Sequence, residues 1–219
     1  MRFPRSNRLN LLKDIWDVDY ENLKILDYGG NHGNLVKDGL NEKNYTCLDC
    51  YAPVLEEAKE EHPDATWVHY DRKNQVYNPA GKEFIPFPFE DKSFDIVFSY
   101  SLHTHCSYED FLFDISEMKR VSRRFATSIL DKSVFDFLKM KRQMDYNEVH
   151  ELWDDPDSTE TYRYYINADT VTTDSSEIPE QCDFLLSYYN KDWLKSEHPD
   201  IEITEAFSPY NQPFVIWTE

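Results

Sequence analysis

The chain has 219 residues, of which 40% are hydrophobic and 16% are aromatic. This composition excludes a disordered chain and supplies enough apolar surface for one large core, while the length leaves little room for a second. The formal net charge of −19 repels phosphate backbones and argues against a nucleic-acid partner. A cationic acceptor and a solubilising surface are both consistent with this charge.

The four cysteines do not form a disulfide or zinc pattern. Cys47 and Cys50 have C-x-x-C spacing, but no second pair at zinc-ligand spacing accompanies them. Apart from the acidic stretch 154–157, no carboxylate or histidine cluster has metal-ligand spacing, so no metal site is predicted. The first six residues lack an apolar run of signal-peptide length, and no segment reaches membrane-spanning length. We therefore expect a cytoplasmic protein with reduced thiols and no membrane contact.

Apolar runs and helical periodicities alternate along the first part of the chain. An amphipathic helix is predicted at 6–20. The predicted strands are 23–27, 45–49, 66–70, 94–100 and 124–130, and the helices between them are 34–40, 53–59 and 107–118. Ser107 and Asp110 have the spacing of a helix capping box. Strands that alternate with helices form parallel sheets with right-handed crossovers, so the pattern predicts a Rossmann-like α/β fold with a doubly wound, mostly parallel, seven-stranded sheet.

Residues 132–182 interrupt this alternation and are predicted to form a helical and loop lid insertion. One amphipathic helix is predicted between Val134 and Met144. The chain then closes with a helix at 191–195 and two strands at 201–207 and 213–217, which pair most simply as an antiparallel hairpin. We expect one domain with four parts: an N-terminal helix (1–21), a core (22–131), the lid (132–182), and the closing helix and hairpin (183–219).

Glycines or polar residues end the first four predicted strands. Their positions are Gly29, Gly30 and Gly33 after the first strand, Asp49 and Asp71 after the second and third, and Ser99 and Tyr100 at the fourth. Glycines let backbone N–H groups approach a nucleotide-like ligand, and the carboxyl ends of parallel strands meet at one edge of the sheet. Each residue alone is also typical of a turn or a helix cap. Their occurrence on four successive strands predicts a ligand site.

These segments resemble the motifs of the class I S-adenosylmethionine-dependent methyltransferases. The run 25–33 (ILDYGGNHG) is similar to motif I of that family, and 48–55 (LDCYAPVL) to the acidic end of its second strand. Residues 85–99 are similar to its Pro- and Phe-rich approach to strand four. The resemblance covers roughly 22–131, with a family-like helix and hairpin from 184 to 219. It implies methyl transfer from S-adenosylmethionine to an O, N or C atom of a small molecule or peptide, with S-adenosylhomocysteine as product.

The resemblance also implies a set of cofactor-binding residues: Asp27, Gly29, Gly30, Asn31, Gly33, Asp49, Cys50, Asp71, Arg72, Ser99 and Tyr100. By it, Asp27 supports the loop and contacts the cofactor amino group, Asp49 binds the ribose diol, and Asp71 binds the adenine amino group. Tyr70 and Arg72 flank the adenine and are candidates to pack on it. Ser99, Tyr100 and the glycines lie at the methionine end.

Two departures from the family pattern stand out. Asn31 replaces the middle glycine of motif I; asparagine tolerates a left-handed backbone, so the turn survives, but its side chain takes space near the cofactor. The turn expected before strand five, residues 122–124, lacks the usual glycines.

His103 and His105 follow strand four, two residues apart, and are candidate general bases because the unperturbed imidazole pKa is near 6.5. Alternatively, one of them caps the next helix and the other packs. Five tyrosines line an acceptor pocket or pack the lid: Tyr162, Tyr164, Tyr165, Tyr188 and Tyr189. Two other functions stay open, a non-catalytic partner protein that keeps this fold and an NAD(P)-dependent oxidoreductase. The glycines do not fit the G-x-G-x-x-G pattern of the latter. A monomer or homodimer is expected.

Overall fold

The protein is described by a computed structural model. It describes residues 7–74, 77–131, 149–152, 161–166, 184–189, 191–205 and 212–219, of which 149–152, 161–166 and 184–188 are described as backbone only. The helices are α1 (Arg8–Ile15), α2 (Asn34–Lys37), α3 (Ala52–Glu61), α4 (Tyr108–Val121) and α5 (Lys191–Glu197). The strands are β1 (Ile25–Tyr28), β2 (Tyr45–Asp49), β3 (Thr66–His69), β4 (Phe94–Ser99), β5 (Ser122–Ser128), β6 (Leu130–Asp131), β7 (Val149–Leu152), β8 (Thr161–Ile166), β9 (Phe184–Tyr189), β10 (Glu202–Ile203) and β11 (Phe214–Thr218).

Seven strands form the main sheet in the order β10-β11-β5-β4-β1-β2-β3. The pairs among β1 to β5 are parallel, whereas β11 pairs antiparallel with both β5 and β10. The predicted α/β fold and the closing antiparallel hairpin are therefore confirmed. The order reverses at the β1–β4 junction, and ligands of open α/β sheets bind at such a switch point, outside the carboxyl ends of the strands.

The sheet separates two apolar cores because successive strand residues point to opposite faces. On β1, Ile25 packs into the first cluster with α1, α2 and α3, whereas Leu26 packs into the second with α4 and α5. Both side chains are fully buried. Because helices cover both faces of the sheet, a ligand site can form only at the ends of the strands, where the loops begin.

Local sequence signals explain how two of the helices begin. The Asn7 side chain accepts a hydrogen bond from the Asn10 N–H at the start of α1. Ser107 and Asp110 form the predicted capping box at the start of α4, with reciprocal side-chain-to-backbone bonds. These caps satisfy N–H groups that have no partner within the helix.

The junction between α4 and β5 differs from the predicted one. We expected a turn at 122–124, but β5 begins at Ser122, directly after the last helical residue. The Ser122 hydroxyl donates to the Met118 carbonyl, and Lys92 Nζ contacts the carbonyls of Lys119 and Ser122. Because side chains satisfy these helix-end carbonyls, no glycine turn is needed.

A second sheet of four strands, in the order β6-β9-β8-β7, was not predicted. Strands β7 and β8 fall within the segment predicted as a helical and loop lid, and each antiparallel pair joins residues far apart in sequence. The helix predicted between Val134 and Met144 and the acidic stretch 154–157 lie outside the described residues. Within the part of the chain that the structure describes, no helix is both long and apolar enough to cross a membrane.

Candidate active site

Three alternate residues of the glycine loop after β1 have a left-handed backbone conformation. Gly29, Asn31 and Gly33 have φ values of 73°, 54° and 71°. Asn31 therefore adopts the conformation predicted for it, which asparagine tolerates better than most residues. Its side-chain Oδ1 accepts a hydrogen bond from the His32 N–H at 2.9 Å. In this way Asn31 holds a turn that the family pattern would give to glycine.

Asp49, at the end of β2, joins two loops at the carboxyl edge of the sheet. Its Oδ2 accepts from the Asn31 N–H and its Oδ1 from the Tyr51 N–H, both at 2.9 Å. The residue is only 8% exposed. Burial raises the pKa of Asp49, while these backbone donors oppose the rise. A carboxylate has about four lone-pair positions, so Asp49 keeps capacity to accept from a ligand.

Asp27 lies in the middle of β1, beneath the glycine loop. The Tyr45 hydroxyl donates to its Oδ2 at 2.9 Å, whereas its buried Oδ1 has no hydrogen-bond partner among the described residues. Burial raises the pKa of Asp27 to about 6, opposed in part by the charge of Arg8 and the Tyr45 hydrogen bond. Tyr45 was not among the predicted site residues. Its place on β2, the parallel neighbour of β1, was the signal that could have indicated a contact with Asp27.

Stability should fall as pH rises through the range in which Asp27 ionises. An unfolded aspartate has a pKa near 3.8 and the folded one near 6, so between these values the native state keeps a proton that the unfolded chain has lost. The Asp27→Asn variant, relative to the parent, should therefore be more stable at pH 7 than at pH 4.5. Urea midpoints at the two pH values measure this, with Asp64→Asn, at an exposed position, as the control. An Asp27→Asn difference that is independent of pH would contradict the prediction.

The residues that end β4 are buried. Ser99 is fully buried, and its hydroxyl oxygen has no hydrogen-bond partner among the described residues. Tyr100 is buried against Phe214, and the guanidinium carbon of Arg8 lies 4.7 Å from the centre of its ring. Arg8 belongs to α1, so the leader helix reaches the same edge. Arg8 was not among the predicted site residues.

His103 is placed differently from its prediction as a general base. It is fully buried: its Nδ1 lies 2.6 Å from the Thr127 hydroxyl and its Nε2 lies 3.2 Å from Asp114 Oδ2. The Tyr28 hydroxyl also donates to Asp114. Both ring nitrogens are engaged inside the core, which favours the alternative that His103 packs; its role as a general base stays a prediction. Asp114 was detectable as an acid one turn from Phe111 and Met118 on the apolar face of α4.

Arg72, predicted to lie beside the adenine, makes contacts with α4 and with the loop after β3. Its guanidinium is ion-paired with Asp110, and its carbon lies 4.9 and 5.0 Å from the ring centres of Phe84 and Phe113, which contact each other. The neighbouring Tyr70 is buried, and its hydroxyl donates to the Ile85 carbonyl. Both side chains therefore fasten the loop after β3 to the body of the domain. Packing of either side chain on an adenine stays a prediction.

The remaining predicted residues lie at or near the edge. The exposed carboxylate of Asp71 accepts from the Asn78 amide and pairs with Lys82 at 3.2 Å, so its own loop satisfies it. Cys50 is half-buried, and burial raises the pKa of its thiol to about 12. His105 is half-buried. The edge therefore brings together Asp27, Asn31, Asp49, Ser99 and Tyr100 with the glycines. His105 lies in the 3₁₀ turn that follows β4.

Comparison with known proteins finds a domain match and several similar folds. Residues 26–127 match the family model described as a methyltransferase domain. A comparison with curated proteins found no match. Similar solved structures include a protein from Pyrococcus horikoshii OT3 (12% identity, TM-score 0.62, covering 97% of this chain and 87% of that one). Another is an S-adenosylmethionine-dependent methyltransferase from Methanosarcina mazei (16% identity, TM-score 0.59, 94% and 98%).

A third similar structure is the magnesium protoporphyrin IX methyltransferase from Synechocystis with bound S-adenosylhomocysteine (12% identity, TM-score 0.54, 95% of this chain and 80% of that one). Identities this low compare folds and not substrates. The domain match, the sheet order and the loop geometry agree with one another. The chain therefore has the fold of S-adenosylmethionine-dependent methyltransferases, and its residues 26–127 match a methyltransferase domain.

Proposed function

We propose that this protein binds S-adenosylmethionine and transfers its methyl group to an O, N or C atom of a small molecule or peptide. The observation that carries the proposal is the link between the glycine loop and the second strand, in which buried Asp49 accepts from the Asn31 N–H. It holds a carboxylate beside a glycine-lined turn at the switch point of the sheet, where nucleotide-like ligands bind. The methyltransferase domain match spans this whole region.

The chemistry of the residues fits the cofactor. Asp27 has a buried oxygen and Ser99 a buried hydroxyl without partners among the described residues, and buried polar atoms are normally hydrogen-bonded. Asp27 would accept from the cofactor ammonium, and Asp49 from the ribose diol. Gly29 is left-handed and closely packed on Leu102, so a side chain there would disturb the loop that contacts the methionine end.

When bound, S-adenosylmethionine supplies an electrophilic methyl group on a sulfonium centre. The protein then needs to orient the acceptor, exclude water and, for a protonated acceptor, remove a proton. We assign the removal of that proton to His105, because both ring nitrogens of His103 are engaged in the core. We assign the acceptor cover to the second sheet, whose strand β6 follows β5 directly in the chain. Lys191 of α5 pairs with buried Asp131 of β6 at 2.8 Å.

The net charge of −19 supports a small-molecule or peptide acceptor over nucleic acid. Cys47, Cys50 and Cys106 are free thiols, which supports a reducing, cytoplasmic setting. For the monomer or homodimer, light scattering is the direct measurement.

Isothermal calorimetry with S-adenosylhomocysteine tests the cofactor. We expect one site per chain, and no binding by the parent protein would refute the proposed function. A screen of acceptors with labelled methyl donor then tests the reaction, comparing the parent with His105→Gln. Turnover by that variant equal to the parent's would reject His105 as the base and leave the cofactor assignment intact.

A further inference from the structure

Arg8 is held firmly at the start of α1. Its backbone N–H donates to Asp38 Oδ2 at 2.6 Å, which ties the first turn of α1 to the end of α2. Its guanidinium lies over the ring of Tyr100, with 4.7 Å between the guanidinium carbon and the ring centre. A cation over an aromatic face is stabilised by the ring quadrupole. The backbone and the guanidinium of Arg8 are therefore both held, and the guanidinium lies at the carboxyl end of β4.

Through Tyr100, the guanidinium lies at the end of β4, the strand that pairs with β1 at Asp27. Its positive charge lowers the pKa of Asp27 against the larger effect of burial. Among the described residues it makes no ion pair or side-chain hydrogen bond, although the chain has 42 acidic residues for 23 basic ones. An arginine has five N–H donors and no acceptor. Arg8 therefore presents unused donors beside a carboxylate that also lacks a partner on one oxygen.

A guanidinium and a carboxylate at one site can bind the two opposite charges of a zwitterion. We propose that Arg8 binds the α-carboxylate of the cofactor's methionine moiety, while Asp27 accepts from the ammonium of the same amino acid. The guanidinium matches a carboxylate through two parallel N–H···O bonds, a geometry that lysine cannot reproduce. This inference rests on the proposed function and extends the site beyond the matched domain, because α1 precedes residue 26.

Two ligands that differ only at the amino-acid end test the assignment. S-adenosylhomocysteine carries the carboxylate, whereas 5′-methylthioadenosine keeps the adenosine and the thioether but lacks the amino acid. In Arg8→Met, a long side chain still covers Tyr100 but has no donors. We expect its Kd for S-adenosylhomocysteine to rise about 20-fold and its Kd for methylthioadenosine to stay within about twofold of the parent. Arg8→Lys should fall between the parent and Arg8→Met.

Arg124→Met is the matched control. In the parent protein the guanidinium carbon of Arg124 lies 5.8 Å from the ring centre of Trp16. The variant therefore also removes a cation over an aromatic ring. Arg124 lies near the start of β5, away from the carboxyl edge of the sheet. We expect both ligands to bind this variant as they bind the parent. Thermal melting of all variants checks that each is folded.

The outcomes separate the two proposals. If the parent binds both ligands and Arg8→Met weakens both equally, or weakens neither, the role of Arg8 is refuted and the proposed function stands. If the parent binds neither ligand, the proposed function fails, and the role of Arg8 fails with it. A selective loss for S-adenosylhomocysteine in both Arg8 variants supports the assignment.

Discussion

Asp49→Ala should raise the Kd for S-adenosylhomocysteine at least about 100-fold, equivalent to about 3 kcal/mol. The change removes the proposed acceptor of the ribose hydroxyls. It also releases the N–H groups of Asn31 and Tyr51, which Asp49 holds at 2.9 Å. Because the carboxylate proposed to bind the ligand also shapes the loop, the loss should exceed that of one hydrogen bond. Calorimetry measures the affinity directly.

Asp49→Asn and Asp64→Ala refine this test. Asparagine keeps the shape and one acceptor oxygen but replaces the other by an amide donor, so its Kd should lie between those of the parent and Asp49→Ala. Asp64 is exposed in the turn after α3, and its removal should leave binding unchanged. Parent-like affinity in Asp49→Ala, with calorimetric binding by the parent intact, would show that the carboxylate does not contact the cofactor.

Gly33→Ala should destabilise the fold by about 3 kcal/mol. Gly33 has φ 71°, which strains any other residue, and an added Cβ would lie 2.5 Å from Trp67 Cη2 and 2.9 Å from Val36 Cγ2. The Trp67 ring cannot easily retreat, because its Nε1 donates to the His62 carbonyl and it packs edge-on against Tyr45. The free energy of unfolding from urea denaturation gives the loss.

Gly39→Ala separates backbone strain from steric overlap. Gly39 also has a positive φ, of 105°, but an added Cβ there would have no atom within 4 Å. Its replacement should therefore cost only the strain, about 1–2 kcal/mol. In a Trp67→Phe background, which shortens the opposing ring, part of the loss in Gly33→Ala should be recovered. Equal losses at Gly33 and Gly39 would mean that overlap with Trp67 contributes nothing.

Local sequence signals predicted the alternation of strands and helices because each depends on neighbours in the chain. Apolar runs of strand length marked β1, β2 and β4, and the Ser107–Asp110 spacing marked the start of α4. The glycines and acids that end successive strands also predicted a site at one edge, because parallel strands bring their carboxyl ends together. Boundaries were less accurate: β5 begins at Ser122 because side chains complete the end of α4.

Long-range contacts could not be predicted in the same way. His103 and Arg72 follow strands at the right edge, so their positions in the chain agreed with site roles. Their side chains instead contact Asp114 and Asp110, which lie on α4, 11 and 38 residues away in sequence. A side chain's direction at a strand end depends on which helix packs there. The second sheet shows the same limit, since β6 and β9 pair across more than fifty residues.

The sequence by itself therefore determined the class of fold, the glycine loop and the acids beside it, because these follow from short-range periodicity, turn chemistry and motif spacing. The tertiary structure decided which polar side chains lie at the carboxyl edge of the sheet and which are buried in the core. It placed His103 inside, anchored Arg72 to α4, tied Asn31 to Asp49, and brought Arg8 of the leader helix over Tyr100. The physical reason is that burial and charge partners are set by packing between elements, and one sequence pattern is compatible with several such packings until the whole core is closed.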